Sequence, residues 1–496
     1  MGHKLLARNT VTAIIYQVTS VLCGFVLPRL ILATFGTQTN GLVSSITQFI
    51  QVINLFDLGI SSVIVYNLYK PLATEDLNRL SKVVSAADGF FRIIGIALVC
   101  YIIILAVIYP VCVDSGFDYS FVMFLILIMG INAFGQYYLG VVNRLILIAD
   151  QHNYIPYTTQ TLTVIANTIL CLVVVKLGGS IHAVKLVTSI VYLARPLTYA
   201  ICVRNKYHIN RRIKTDKNTL DQKWNGIAQH ISSVILDSTD TIVLTLFSTL
   251  INVSIYNVYY LVIAGIKGFI ISLTGGINSL LGNLWADNKK SLFVSTFHLF
   301  EWSMSMATVI VFGCVGYLLV PFVSLYTKDV NDANYIQSLF AFFLCLGYGF
   351  YSLRIPYSSV VLQIGHYKQT QNSYVISVLI NISISIICVS RYGLVGVAVG
   401  TFLAMLFHTC FFQFYVYKRV INKSLKSIIR LYISILLSFL LGILINMIYM
   451  PAVDTVFHFI VACIYELLIW CFVTISINLV FYRSNFIYIF VQMKKT

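Results

Sequence analysis

Stretches of apolar sequence long enough to cross a bilayer follow one another from residue 9 to residue 482, and they constrain this chain more than any other feature. A spanning helix needs about 20 predominantly apolar residues. Fourteen such blocks are readable, at 9–35, 41–69, 89–112, 119–145, 157–178, 181–203, 224–250, 254–282, 294–326, 334–363, 370–390, 393–417, 427–450 and 455–482. Inside lipid only helices and closed barrels satisfy every backbone hydrogen bond, and blocks of this length specify helices. Only 10% of the 496 residues are charged, far short of the roughly 25% that a soluble protein carries. The expected fold class is an all-α integral membrane protein with about 14 transmembrane helices.

The net charge of +16 suggests nucleic acid until its placement is considered. With both termini cytoplasmic, 25 of the 33 basic residues fall in inner segments. Four (Lys176, Lys185, Lys328 and Arg391) fall on the outer side, and four (Arg29, Arg195, Lys267 and Arg354) fall within spans. That asymmetry is the positive-inside signal, so the basicity sets topology and no nucleic-acid partner is expected. The eleven cysteines lie almost entirely in apolar runs, with no CxxC pair and no His/Cys cluster at metal spacing. No metal site or cofactor is expected. The apolar stretch from Val11 to Phe35 is too long for a signal peptide and reads as the first span.

The longest hydrophilic stretch, "RNKYHINRRIKTDKNTLDQK" at 204–223, divides the chain. It separates an N-terminal lobe at 1–203 (spans one to six) from a C-terminal lobe at 224–420 (spans seven to twelve), with a terminal helix pair at 421–496. Residues 74–88 put Leu77, Leu80 and Val84 at helical spacing after Thr74, which predicts a short amphipathic helix on the cytoplasmic surface. A weak repeat supports the division. Gly135/Gly349, Tyr137/Tyr351 and His152/His366 match at an offset of 214, and the segments from Asn40 and Asn257 match at 217. Repeated bundles commonly flank a transport pathway.

A charge at bilayer depth costs from about 3 to above 10 kcal/mol, so it persists where it faces a cavity or a partner. Arg29 follows Pro28, which removes a helix hydrogen bond and bends the span. It either snorkels to the outer headgroups or faces a cavity. Lys267 sits near the middle of span eight between Gly265 and Gly268, and Arg354 repeats the Arg/Pro pairing with Pro356. Arg195 lies near a cytoplasmic end and can snorkel. Span seven holds His230, Asp237 and Asp240 amid hydroxyl residues, and Asp57 lies in span two. Asp237 and Asp240, three apart on one helix face, either pair with a basic residue or bind a coupling ion. His298, Glu301, His408, His458 and Glu466 read as structural. Amides beside aromatics (Gln51, Asn132, Gln136, Tyr137) suit sugars, and equally serve as glue between helices.

Phosphate-loop, HExxH and GxSxG motifs are absent, as is a cytoplasmic DxD pair. The short outer loops disfavour a membrane-embedded glycan polymerase, and no enzymatic activity is expected. The opening "ARNT…LPRLILATFGTQTNGLVSSITQFIQVINLFDLGI" and "LYKPLATEDLNRLSKVVSAADGFFRIIG" at 68–95 resemble bacterial oligosaccharide flippases of the polysaccharide transporter family. These belong to the multidrug/oligosaccharidyl-lipid/polysaccharide exporter superfamily. The resemblance implies two six-helix lobes in a V shape with the terminal pair alongside. It further implies alternating-access transfer of an undecaprenyl-diphosphate-linked repeat unit from the cytoplasmic to the periplasmic leaflet, for O-antigen, capsule or exopolysaccharide. Arg29, Lys267 and Arg354 would then line a cationic pathway. Asp57, His230, Asp237 and Asp240 would serve as gate or ion-coupling groups, with Na⁺, H⁺ or the membrane potential as driving force. The implied location is the inner membrane, with lipid-linked oligosaccharide, membrane lipids, a polysaccharide polymerase and a chain-length regulator as partners. The alternatives are a cation-coupled multidrug exporter and a flippase for the peptidoglycan lipid precursor.

Overall fold

A computed structural model describes residues 2–57, 60–211, 213, 227–422, 424, 426–449 and 451–486. Among the described residues every regular element is helical. The first half comprises α1 (Gly2–Gln51), α2 (Ile60–Ala73), α3 (Leu77–Cys112), α4 (Tyr119–Gly135), α5 (Val141–Ala149), α6 (Tyr154–Lys176) and α7 (Ile181–Lys206). It is followed by α8 (Ile227–Phe247), α9 (Leu250–Ala286), α10 (Lys290–Tyr326), α11 (Ser338–Gln363), α12 (Tyr367–Tyr392), α13 (Leu394–Tyr415), α14 (Lys426–Ile448) and α15 (Val456–Phe481). The described chain forms two compact units, Met1–Ser254 and Ile255–Thr496, whose boundary falls inside α9.

Twelve segments among the described residues are long and apolar enough to cross a membrane. Among the described residues helix occupies most of each of the fourteen expected spans, and two of the fourteen, spans two and seven, are not separate members of the twelve. Span two is broken: α1 changes direction at Gly36 (φ 81°), ends at Gln51, and passes through a 3-10 turn at Val52–Asp57 before α2. Span seven, α8, carries two aspartates in 21 residues. The separate amphipathic helix expected at 74–88 does not exist. Its residues are the first turns of α3, which runs unbroken for 36 residues. The cap is Asp76, not Thr74: the Asp76 carboxylate accepts from the Arg79 backbone N–H at 2.9 Å. The period of Leu80, Val83, Val84 and Ala87, all buried, continues in register into Phe91 and Ile94. With no breaker between them, one helix satisfies more backbone than two.

Small residues set the closest approaches in each unit. In the first, a Cβ on Gly135 would lie 2.1 Å from Leu193 Cδ2, and one on Gly140 would lie 2.9 Å from Pro196 Cβ. Between these glycines the helix widens into a π turn, Gln136–Gly140, a geometry associated with functional sites. In the second unit Trp470, 1% exposed, lies against Gly313 and Gly442 and anchors α15 to α10 and α14. Its indole donates to Glu466 Oε2 at 3.0 Å, which also accepts from Asn446 Nδ2 at 3.0 Å.

The repeat is written into the element boundaries. Helix α3 begins at Leu77 and ends at Cys112; α10 begins at Lys290 and ends at Tyr326, offsets of 213 and 214. Gln151 (φ 58°) and Gly365 (φ 76°) both take the left-handed conformation, 214 apart. The residue after each is a histidine with the same closing bond: His152 N donates to Leu147 O at 2.8 Å, and His366 N to Val361 O at 3.1 Å. These are helix ends of the Schellman type. Asn40, from which the second match runs, donates its Nδ2 to Ser254 Oγ at 2.7 Å.

Candidate functional site

In the second unit, α11 presents Tyr351 and Arg354 one helical turn apart, α9 brings Lys267, and α13 brings His408. Lys267 Nζ stands 5.1 Å and the Arg354 guanidinium carbon 4.9 Å from the centre of the Tyr351 ring. Two of the three cations expected in the pathway therefore approach one aromatic ring. Arg354 is 9% exposed, its Nη1 contacts His408 Nδ1, and its Nε lacks a hydrogen-bond partner. Among the described residues no carboxylate lies within ion-pair distance of it. The ring stabilises cations through its quadrupole, and the buried Arg354 guanidinium, with no carboxylate within ion-pair distance among the described residues, favours an anion beside it. Tyr348 and Tyr374 extend the aromatic wall, 6.2 Å from Tyr351 and 4.5 Å from His408 respectively.

The first unit encloses a cavity of about 480 Å³. Helix α7 lines it with Lys185, Thr188, Ser189 and Tyr192, and Gln51, Asn132 and Gln136 face it from α1 and around the π turn. Gln136 Nε2 donates to Asn132 Oδ1 at 2.9 Å. Arg195 continues the α7 stripe. Its guanidinium carbon lies 3.9 Å from the centre of the Tyr192 ring, and its Nε donates to Thr163 Oγ1 at 2.7 Å. The amide cluster expected to suit sugars or to act as glue thus lines open space. Lys185, counted above on the outer side, lies inside α7 and lines this cavity. The signal for it was present: positions 185, 188, 189 and 192 recur at helical spacing with polar character inside an apolar span.

The other expected residues lie on α1, on α8 and at the 3-10 turn. Arg29 is exposed on α1, one residue after Pro28 and seven before the break at Gly36. On α8, Asp240 is buried at 3% exposure, Asp237 is exposed and His230 is half-buried. Asp57 closes the 3-10 turn, and its side chain lies outside the described residues. Of the residues expected to be structural, His408 contacts Arg354 and leaves its Nε2 buried without a partner, as Glu466 leaves its Oε1, while Glu301 is fully engaged. Glu301 accepts from Tyr357 Oη at 2.5 Å and from Tyr417 Oη at 2.8 Å, with His298 Nδ1 at 3.2 Å. Among the described residues no group of three or more His, Cys, Asp or Glu side chains is gathered to hold a metal.

No family model and no curated protein matches the sequence. Solved structures do. The lipid II flippase MurJ in an inward closed conformation superposes with a TM-score of 0.70 at 16% identity, over 96% of this chain and 99% of that one. An inward-facing multidrug resistance MATE transporter of the MOP superfamily gives 0.59 at 12% identity, over 81% and 95%. A MOP superfamily transporter from Pyrococcus furiosus, described as having a binding pocket of reversed polarity, gives 0.57 at 12% identity, over 85% and 97%. At these identities the likeness establishes the fold: this chain has the architecture of MOP-type transporters and flippases.

Proposed function

We propose that the protein is a flippase that carries a lipid-linked oligosaccharide, joined to its polyprenol through a diphosphate, between leaflets by alternating access. The observation that carries this reading is the approach of Lys267 and Arg354 to Tyr351, with the Arg354 guanidinium buried and no carboxylate within ion-pair distance of it among the described residues. A diphosphate is the natural complement of two such cations, held by charge-assisted hydrogen bonds that strengthen as water is excluded. The amide- and tyrosine-lined cavity of the first unit, with Lys185 at its edge, suits sugar hydroxyls and ring faces. A carrier of cationic drugs would need carboxylates where this chain has arginine and lysine. Arg29 is assigned to the same pathway from the sequence.

A second reading, flipping of the peptidoglycan lipid precursor, is favoured by the fold likeness to a lipid II flippase. Its cargo carries the same diphosphate, so the cations do not discriminate between the two. Complementation does. The wild-type chain is expected to restore surface polysaccharide in a bacterium lacking its O-antigen flippase, and not to support growth of one depleted of its lipid II flippase. Lys267→Ala or Arg354→Ala, at matched membrane abundance, is expected to reduce restoration about 10- to 100-fold, the loss of one charge-assisted contact of about 1.5–3 kcal/mol. Full activity in both variants would remove the cationic site from the pathway. Rescue of the second strain alone would establish the second reading.

A further inference from the structure

The first unit carries another cavity, of about 560 Å³, which no expected site residue lines. It opens where α3, α5 and α7 meet the segment after α7, at the end of the unit that the charge pattern assigns to the cytoplasm. One wall is apolar, from Leu139, Val142 and Leu197. The other is cationic: Arg92 on α3, Arg204 in the last turn of α7, and Arg211 beyond it. A single carboxylate, Asp88, faces them, and it is already engaged. Both of its oxygens accept from Arg211 Nη1, at 3.1 and 2.9 Å, while Arg211 Nη2 donates to Asn143 Oδ1.

Arg211 is therefore a structural element of the wall. The segment around it is fastened down as well: Asn210 N donates to Ser81 Oγ at 3.1 Å, and Ser85 Oγ donates to Ile213 O at 3.0 Å. Arg92 and Arg204 are exposed, and among the described residues no carboxylate stands within ion-pair distance of either. Leu197, which lines the cavity, is 54% exposed, and one turn on from it along α7 Ile201 is 60% exposed. In a membrane-spanning fold such side chains face acyl chains. A cationic recess bordered by lipid-facing apolar surface is complementary to an amphiphile with an anionic head.

We propose that this cavity binds a lipid-borne phosphate, with Arg92 and Arg204 holding the phosphate of an anionic lipid whose chains run along Leu197 and Ile201. Guanidinium groups match phosphate oxygens in a bidentate geometry, and basic recesses between spanning helices on the cytoplasmic side are suited to anionic headgroups. The bound head would tie α3 to α7 and to the start of the linker. It is independent of the cargo proposed above.

The test counts lipid adducts by native mass spectrometry on the full chain in detergent, titrated with phosphatidylglycerol or phosphatidylcholine. The wild type is expected to retain phosphatidylglycerol and to release phosphatidylcholine. The Arg92→Gln/Arg204→Gln variant is expected to bind phosphatidylglycerol about thirtyfold more weakly, each arginine contributing about fivefold. Lys289→Gln/Lys290→Gln, which removes the same charge from exposed positions outside the cavity, is expected to bind as wild type. Undiminished binding in the arginine variant, or an equal loss in the lysine variant, would overturn the proposal. A second arm adds inorganic phosphate at the lipid's concentration. Failure to displace the lipid agrees with the proposal, and displacement would reassign the recess to soluble phosphate. Should the double variant not fold, Arg204→Gln alone carries the test, with about a fivefold loss expected.

Discussion

Asp150 joins two stretches of chain, the loop after α5 and the end of α7, at one carboxylate. Its Oδ2 accepts from Lys206 Nζ at 2.6 Å and from the Tyr207 hydroxyl, and His152 Nδ1 lies 3.1 Å away. Partial burial by itself raises its pKa, but the hydrogen bonds from Lys206 and Tyr207 outweigh it and hold the carboxyl below its ordinary 3.8. A carboxylate depressed in the folded state stabilises at all pH above its unfolded value and loses that contribution as pH falls. Asp150→Asn is therefore expected to cost about 1 kcal/mol near neutral pH. The gap in thermal midpoint between wild type and variant should persist down to about pH 5 and close only below about pH 4. A constant gap at pH 3 would show that packing, not charge, is responsible. At this scale legibility in the sequence followed the cost of burying charge. Lys267 and Arg354 stood out because a cation deep in apolar sequence demands a reason, and they meet at Tyr351. Lys185 did not, because a cation four residues from a helix start looks like the edge of a loop until its neighbours at 188, 189 and 192 are seen to share its face.

Between elements, backbone approach decides which residues are replaceable. Gly41 of α1 faces the first turn of α9 so closely that a Cβ there would stand 1.8 Å from Leu250 O, a backbone atom that cannot rotate away. Gly41→Ala is expected to lower stability by about 1–3 kcal/mol, the usual cost of overpacking, read as a reduced thermal midpoint of the purified chain. An unchanged midpoint would mean that α9 shifts freely at its start. Such contacts leave no mark on a hydropathy profile, since glycine is unremarkable in any span. The same blindness explains the amphipathic stretch at 77–88. Leu80, Val83 and Val84 show one buried face, and that pattern is common to a helix lying on a membrane and to one extending a span. What separates the two is the partner beyond the segment, here Ser81 and Ser85 bonding to the chain after α7.

Across the whole molecule, apolar length alone was enough to specify the all-α membrane class, because lipid permits so few alternatives. The cargo was not legible in the same way: a lipid II flippase and a multidrug transporter share this architecture. The orientation inferred from basic residues has its own check. In a cysteine-free background, Lys328→Cys should react with an impermeant maleimide on intact cells, and Lys290→Cys only after permeabilisation. The reverse would invert the topology. The break at Gly36 has a mechanical meaning for the cation that precedes it. Seven residues of helix at 1.5 Å each put Arg29 on an arm about 10 Å long. A change in bend of about ten degrees at that one residue swings the charge through roughly 2 Å, about the difference between a hydrogen bond and a lost one.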